Sequence, residues 1–168
     1  MEYVLAALAG YFCGCLPVSS LTARHYGVDL HATGDRNPGA WNALEQLGAR
    51  RAWPAFVGDG LKAFVPVAVA HLAGGYWLAF AAAAGAMVGH AFPLPDPGRG
   101  GKAVMCFVGA AIVTVTSGFA WGARVAVFAF PLAQLVTDPV AHVAATGVLM
   151  TFIGVLFIAR RRAPASAA

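Results

Sequence analysis

Long runs of almost uncharged sequence, separated by two short polar stretches, constrain this chain more than any other feature. Tyr3–Ala23, Ala52–Gly74, Gly75–Leu94, Ala103–Trp121 and Pro139–Ala159 each come close to the ~20 residues that a helix needs to cross ~30 Å of hydrocarbon. A soluble domain of 168 residues could not cover a sequence that is 60% hydrophobic and 11% charged, because ordinary globular chains are near half apolar and about a quarter charged. The bilayer is therefore expected to be the solvent. The expected fold is all-α, a polytopic transmembrane helical bundle forming a single membrane domain over residues 1–168, with about five crossings. Arg124–Thr137 is too short for an easy crossing and is interrupted by Pro131, so it reads as a short tilted or re-entrant segment. Met1-Glu2 supplies no basic leader and the first apolar run outlasts a signal core, so the first span is expected to be retained.

The polar parts carry the chemistry. Residues 25–51 bring Asp29, His31, Asp35, Arg36, Asn37, Asn42 and Glu45 among Gly27, Gly34, Pro38 and Gly39, a composition that predicts a loop with turns. Asp59 and Lys62 lie three apart inside the second apolar run, on one face of a helix. Ionisable groups in a span are costly unless paired or facing a wet cavity, and so mark a functional site by default; the alternative is an inert ion pair near a helix end. Gly89–Lys102 closes an apolar run with His90, breaks it with Pro93, Pro95 and Pro97, and sets Gly100 and Gly101 between Arg99 and Lys102. Glycine amides flanked by cations suit a phosphate, although a solvated basic loop that orients a span would look the same. Cys13, Cys15 and Cys106 all sit in apolar sequence, which supports neither a disulfide framework nor a four-ligand zinc site, and no metal site is expected.

Orientation follows from the cations. Arg24, Arg36, Arg50, Arg51, Arg99, Lys102, Arg160, Arg161 and Arg162 account for nine of the 11 basic residues. Five crossings put all nine on one face, which the positive-inside rule makes cytoplasmic, with the N-terminus outside and the C-terminus in the cytoplasm. The loop at 25–51, the Asp59 and Lys62 end of the second span and the Gly-Gly-Lys loop at 95–102 then meet at one membrane face.

Three motifs in this order also carry a resemblance. Gly34-Asp35-Arg36-Asn37-Pro38-Gly39-Ala40-Trp41-Asn42, Asp59-Gly60-Leu61-Lys62-Ala63, and Gly89-His90-Ala91-Phe92-Pro93 with Arg99-Gly100-Gly101-Lys102-Ala103-Val104 are similar to the Gly-Ser-Gly-Asn-x-Gly-Ala-Thr-Asn, Asp-x-x-Lys-Gly and Gly-His-x-x-Pro…Lys-Gly-Gly-Lys motifs of one family. The chain resembles, over roughly its first two thirds, the PlsY-type acyl-phosphate:glycerol-3-phosphate acyltransferases of the bacterial inner membrane. The resemblance implies transfer of a fatty acyl group from acyl phosphate to glycerol 3-phosphate, giving lysophosphatidic acid, with no cofactor, metal or nucleic acid and with membrane lipid as the surroundings. It implies that Lys102 with the Gly100 and Gly101 amides holds one phosphate and that Lys62 and Arg36 hold the other. Asp59 and Arg99 complete that binding set, Asn37 and Asn42 position donors, and His90 accepts a proton or, alternatively, is a helix-end histidine bonded to backbone.

The departures are Asp35 for the family's serine, Trp41 for its threonine and Glu45 for an arginine. The family's Ser-Leu-Ala-Ser segment leaves only a trace at Pro131-Leu132-Ala133-Gln134, and its C-terminal signature is replaced by Arg160-Arg161-Arg162 and a short tail. Asp35 opposes anion binding unless it turns away to a cation such as Arg36 or Arg99. A second reading therefore stands beside the enzyme: a non-catalytic paralogue that keeps the fold and binds an anionic lipid or partner. A small transporter is the third, without a detectable inverted repeat.

Overall fold

The computed structural model describes residues 1–114 and 140–159, and all regular structure among them is helical. The elements are α1 (Glu2–Gly14), α2 (Val18–His25), α3 (Ala40–Leu47), α4 (Ala49–Ala91), a 3-10 turn at Pro97–Arg99, α5 (Val104–Thr114) and α6 (Val140–Ala159). The segment Arg124–Thr137, the trace motif at 131–134, the end of the expected fourth span and Arg160–Arg162 lie outside the described residues.

Two helical stretches among the described residues, 2–25 and 49–91, are long and apolar enough to cross a membrane. Residues 49–91 cannot form one rod. At ~1.5 Å per residue a continuous helix of 43 residues would run about 65 Å, twice the hydrocarbon thickness. The chain breaks at Gly74 (φ −152°, ψ 18°) and Gly75 (φ 73°, ψ −159°), and the latter combination is open essentially to glycine alone. Residues 49–73 and 76–91 are thus two arms. Asp59 on the first arm and His90 on the second line the same cavity, so the chain reverses at this glycine pair.

The arms are built for lipid. Leu61, Val65, Val69 and Leu72 recur three or four apart and are exposed, whereas Ala63, Val67 and Ala70 on the opposite face are buried. In α1 the exposed stripe is Leu5, Leu8 and Phe12, while Gly10 and Gly14 face inward. A Cβ on Gly10 or Gly14 would strike the backbone of Ala82 or Ala86, and one on Gly85 or Gly89 would strike the backbone of Ala7 or Tyr11. Partner numbers rise together along both helices, so α1 and the second arm run parallel in near backbone contact. Small residues at such spacing allow close approach in lipid, where packing replaces the hydrophobic drive. The core they share extends over Ala79, Ala82, Ala83, Ala86 and Met87 to Phe107 of α5 and to Leu149 and Ile153 of α6.

Two expectations change. Tyr3–Ala23 is not one helix: Pro17, at φ −86° and ψ 55°, interrupts it between α1 and α2, because proline has no N–H to continue the ladder. Residues 25–51 are not loop throughout, since α3 spans Ala40–Leu47 and α4 starts at Ala49. The polarity of this stretch hides a small alanine core in which Ala23, Leu30, Ala40, Ala43, Ala52 and Ala55 are buried together.

Candidate functional site

The helix break at Pro17 creates the first part of the site. Leu16 lies where α1 has ended, and its carbonyl oxygen accepts only a short local bond from the Val18 N–H. Lys62 fills the gap, its Nζ lying 2.8 Å from the Leu16 oxygen and 3.0 Å from Asp59 Oδ1, with the two side chains 3% and 2% exposed. The Ser19 hydroxyl donates to the other Asp59 oxygen at 2.5 Å. A buried ion pair is tolerable when further hydrogen bonds support it. Here Ser19 donates to one Asp59 oxygen and Lys62 donates to Leu16, while Asp59 Oδ1 is held by the ion pair alone, without a hydrogen-bond partner among the described residues. An ammonium has three N–H donors; Lys62 gives one to Leu16, pairs by charge with Asp59 and lines the cavity.

That cavity encloses about 260 Å³ including its open mouth. Its wall takes Cys15, Pro17 and Ser20 from the broken first span, Pro38 from the polar loop, Asp59 and Lys62 from the first arm, His90 from the second, and Arg99, Gly100 and Gly101 beyond it. Of the residues singled out from the sequence, Asp59, Lys62, His90, Arg99, Gly100 and Gly101 therefore come together. Ser19 and Ser20, which sequence reasoning passed over as an interfacial stretch, belong with them. Their signal was a pair of hydroxyls beside a proline break inside an apolar run.

Gly100 and Gly101 do something other than expected. The Gly101 N–H donates to the His90 carbonyl at 3.0 Å, so it is not held out for an anion. A Cβ at Gly101 would strike the His90 imidazole, and one at Gly100 the carbonyls of His90 and Ala91. The glycines let the loop lie flat on the end of the second arm and seat the histidine, which is only 8% exposed.

Arg36, Asn37, Asn42 and Lys102 are not in the cavity wall. Asn42 is fully buried, and its amide nitrogen sits 3.0–3.1 Å from the carbonyl oxygens of Leu30, Thr33 and Asn37. In this structure its N–H groups hold the polar loop in shape, because three carbonyls turned inward need a donor. Arg36 is exposed with a left-handed φ of 57°, next to a turn in which Asp35 Oδ1 accepts the Asn37 N–H at 2.9 Å. Asp35 pairs with neither Arg36 nor Arg99; its second oxygen lies 3.0 Å from Lys102 Nζ. Arg99 instead faces Asp96 at 3.5 Å, both well exposed. The other two departures from the family pattern meet each other, the Trp41 indole N–H donating to Glu45 Oε1 at 3.0 Å.

Among the described residues no three His, Cys, Asp or Glu side chains converge as a metal site would need. What the arrangement offers is a half-buried hollow at the end of apolar helices, with a hydrogen-bonded lysine, a seated histidine, a free-standing serine hydroxyl and an arginine at its mouth. Such a set suits an anionic head whose apolar tail stays in lipid.

Comparison with known proteins agrees with this geometry. The chain is 39% identical to the glycerol-3-phosphate acyltransferase of Rubrobacter xylanophilus over 113 residues, 67% of this chain and 57% of that one. It is 37% identical to that of Pseudothermotoga lettingae over 116 residues, 65% of this chain and 55% of the other. It thus spans little more than half the length of these relatives. The crystal structure of PlsY, an integral membrane glycerol 3-phosphate acyltransferase, in its glycerol 3-phosphate form superposes with a TM-score of 0.80 at 22% identity, over 99% of this chain and 97% of that one. The lysophosphatidic acid form gives 0.78 at 24%, over 96% and 89%. At these identities the likeness establishes the fold, that of an integral membrane protein. The sequence pattern of the glycerol-3-phosphate acyltransferases matches residues 4–167, and the chain belongs to that family.

Proposed function

We propose that this protein moves a fatty acyl group from acyl phosphate to a hydroxyl of glycerol 3-phosphate, giving lysophosphatidic acid for phospholipid synthesis at the bacterial inner membrane. The observation that carries the reading is the single cavity in which Lys62, His90, Arg99 and Ser20 meet in a chain of this family. In the reaction the acceptor hydroxyl attacks the acyl carbonyl, the carbonyl–phosphate bond breaks, and phosphate leaves with the bonding electrons. The acceptor proton goes to His90 or to the departing phosphate. Lys62 and Arg99, which both line the cavity, hold anionic oxygens, and Gly100 and Gly101 act by seating His90. Arg36 and Asn37, exposed or half-buried on the adjoining loop, meet the second anionic head. Acyl phosphate is already activated, so the scheme needs no cofactor.

The basic residues that cluster at this end support five crossings, with the N-terminus outside and the tail in the cytoplasm. The spans would lie near 3–23, 52–74, 75–94, 103–121 and 139–159. One observation favours the competing reading of a non-catalytic relative: Lys102, which directly follows the glycine pair, already holds a carboxylate. Purified protein in lipid, given acyl phosphate and glycerol 3-phosphate, decides between them. Lysophosphatidic acid is the expected product, and its absence from folded protein, with acyl-CoA tried as alternative donor, refutes the enzyme.

A further inference from the structure

Three cations in or beside the cavity wall share one property: each is matched to a carboxylate. Lys62 pairs with Asp59, Arg99 with Asp96 and Lys102 with Asp35. A ligand bearing a phosphate dianion therefore enters a site whose nearest positive charges are already compensated, and it binds well only where a carboxylate can be displaced. The three pairs differ in how readily they yield. Lys62–Asp59 is sealed, with side chains 3% and 2% exposed and hydrogen bonds at both ends. Arg99–Asp96 is a surface pair within one turn of chain, more than half exposed on both sides, and such pairs exert little hold. Lys102–Asp35 is intermediate, 18% and 40% exposed, and it alone ties together two separate segments.

Both segments reach the cavity. Asp35 belongs to the loop whose Pro38 lines it, and Lys102 follows Gly100 and Gly101, which line it too. The Asp35 carboxylate does not hang loose, since its other oxygen is held by the Asn37 N–H; it is presented to Lys102 much as a phosphate oxygen would be. We propose that Asp35 is an internal competitor for phosphate, a latch that joins the polar loop to the glycine loop and that a phosphate-bearing ligand must displace from Lys102. The phosphate class of ligand rests on the function proposed above; the latch itself rests on the pairing.

When only the unlatched fraction binds, the apparent dissociation constant rises in inverse proportion to that fraction. Removing the competing carboxylate must then tighten phosphate binding at Lys102. The test titrates inorganic phosphate and, separately, glycerol 3-phosphate into detergent-solubilised full-length protein, by calorimetry or phosphorus resonance. Asp35→Asn keeps a carbonyl oxygen for the Asn37 N–H while removing the charge, and Asp35→Ser serves as a second variant. The expected result is at least five-fold tighter binding of both ligands in either variant, and loss of that gain when Lys102→Gln is added. Unchanged or weaker binding in the Asp35 variants overturns the latch, as does a gain that survives Lys102→Gln. Because binding is read without turnover, failure to form lysophosphatidic acid would refute the proposed activity while leaving this result standing on its own.

Discussion

Removing the ammonium of Lys62 would leave Asp59 as a carboxylate 2% exposed with the Ser19 hydroxyl as its remaining side-chain donor, and would strip the Leu16 carbonyl of its lysine. Stranding one member of a buried ion pair costs about 3–5 kcal/mol, and the lost bond to Leu16 adds about 1 kcal/mol. Lys62→Met, which keeps most of the volume, should therefore destabilise the protein by about 4–6 kcal/mol. Adding Asp59→Leu removes the stranded charge, so the double variant should recover at least ~2 kcal/mol relative to the single one, a coupling typical of groups in direct contact. Asp96→Asn, which breaks the exposed Arg99 pair, should cost less than about 1 kcal/mol. Reversible unfolding in mixed micelles, followed by tryptophan fluorescence, measures wild type, the two single variants of the pair, the double variant and Asp96→Asn on one scale. A Lys62→Met loss no larger than that of Asp96→Asn, or strict additivity in the double variant, would refute the claim that this pair is sealed and mutually dependent.

Gly100→Ala should destabilise more than Gly101→Ala, by about 1–3 kcal/mol, because its Cβ meets backbone carbonyls whereas the other meets a side-chain ring; Gly101→Ala should instead lower acyl transfer by displacing His90, and thermal unfolding beside the transfer assay separates the two effects. Asn42→Ala leaves the carbonyls of Leu30, Thr33 and Asn37 without their shared donor, costing about 1–3 kcal/mol, and limited proteolysis should then cut within residues 28–38 where wild type resists. Ser166→Cys should resist an impermeant thiol reagent in intact cells and react after permeabilisation, since the proposed topology puts the tail in the cytoplasm; ready labelling from outside refutes that topology.

Patterns that repeat along one helix were legible in the sequence, and pairings between distant segments were not. The apolar runs announce an all-helical membrane fold, and Asp59 and Lys62, three residues apart, announce their own ion pair because helical geometry alone brings them together. Gly-Gly-Lys pointed to a stretch whose two glycines line the cavity. A glycine pair signals close backbone approach without saying to what; here the neighbour is the end of the second arm of α4. Asp35 illustrates the harder case. Any of several cations could have met it, and the choice of Lys102, 67 positions away, depends on how two loops dock. Asn42 looked catalytic because an asparagine in a polar motif can donate to a ligand or to backbone, and only the fold reveals the inward carbonyls that claim it.

The parallel pairing of α1 with the second arm of α4 bears on how the protein meets bilayers of different thickness. Gly10 and Gly14 lie against Ala82 and Ala86, while Gly85 and Gly89 lie against Ala7 and Tyr11, so each helix carries notches that receive the other. Sliding one past the other by a single residue, about 1.5 Å, sets side chains against backbone where glycines now sit. The pair therefore works as a vernier fixed at one reading. Hydrophobic mismatch, which helices otherwise relieve by shifting or tilting independently, is met here by tilting the two as one body. Cys15, at the end of α1, and His90, at the end of the second arm, then keep their separation across the cavity whatever the lipid.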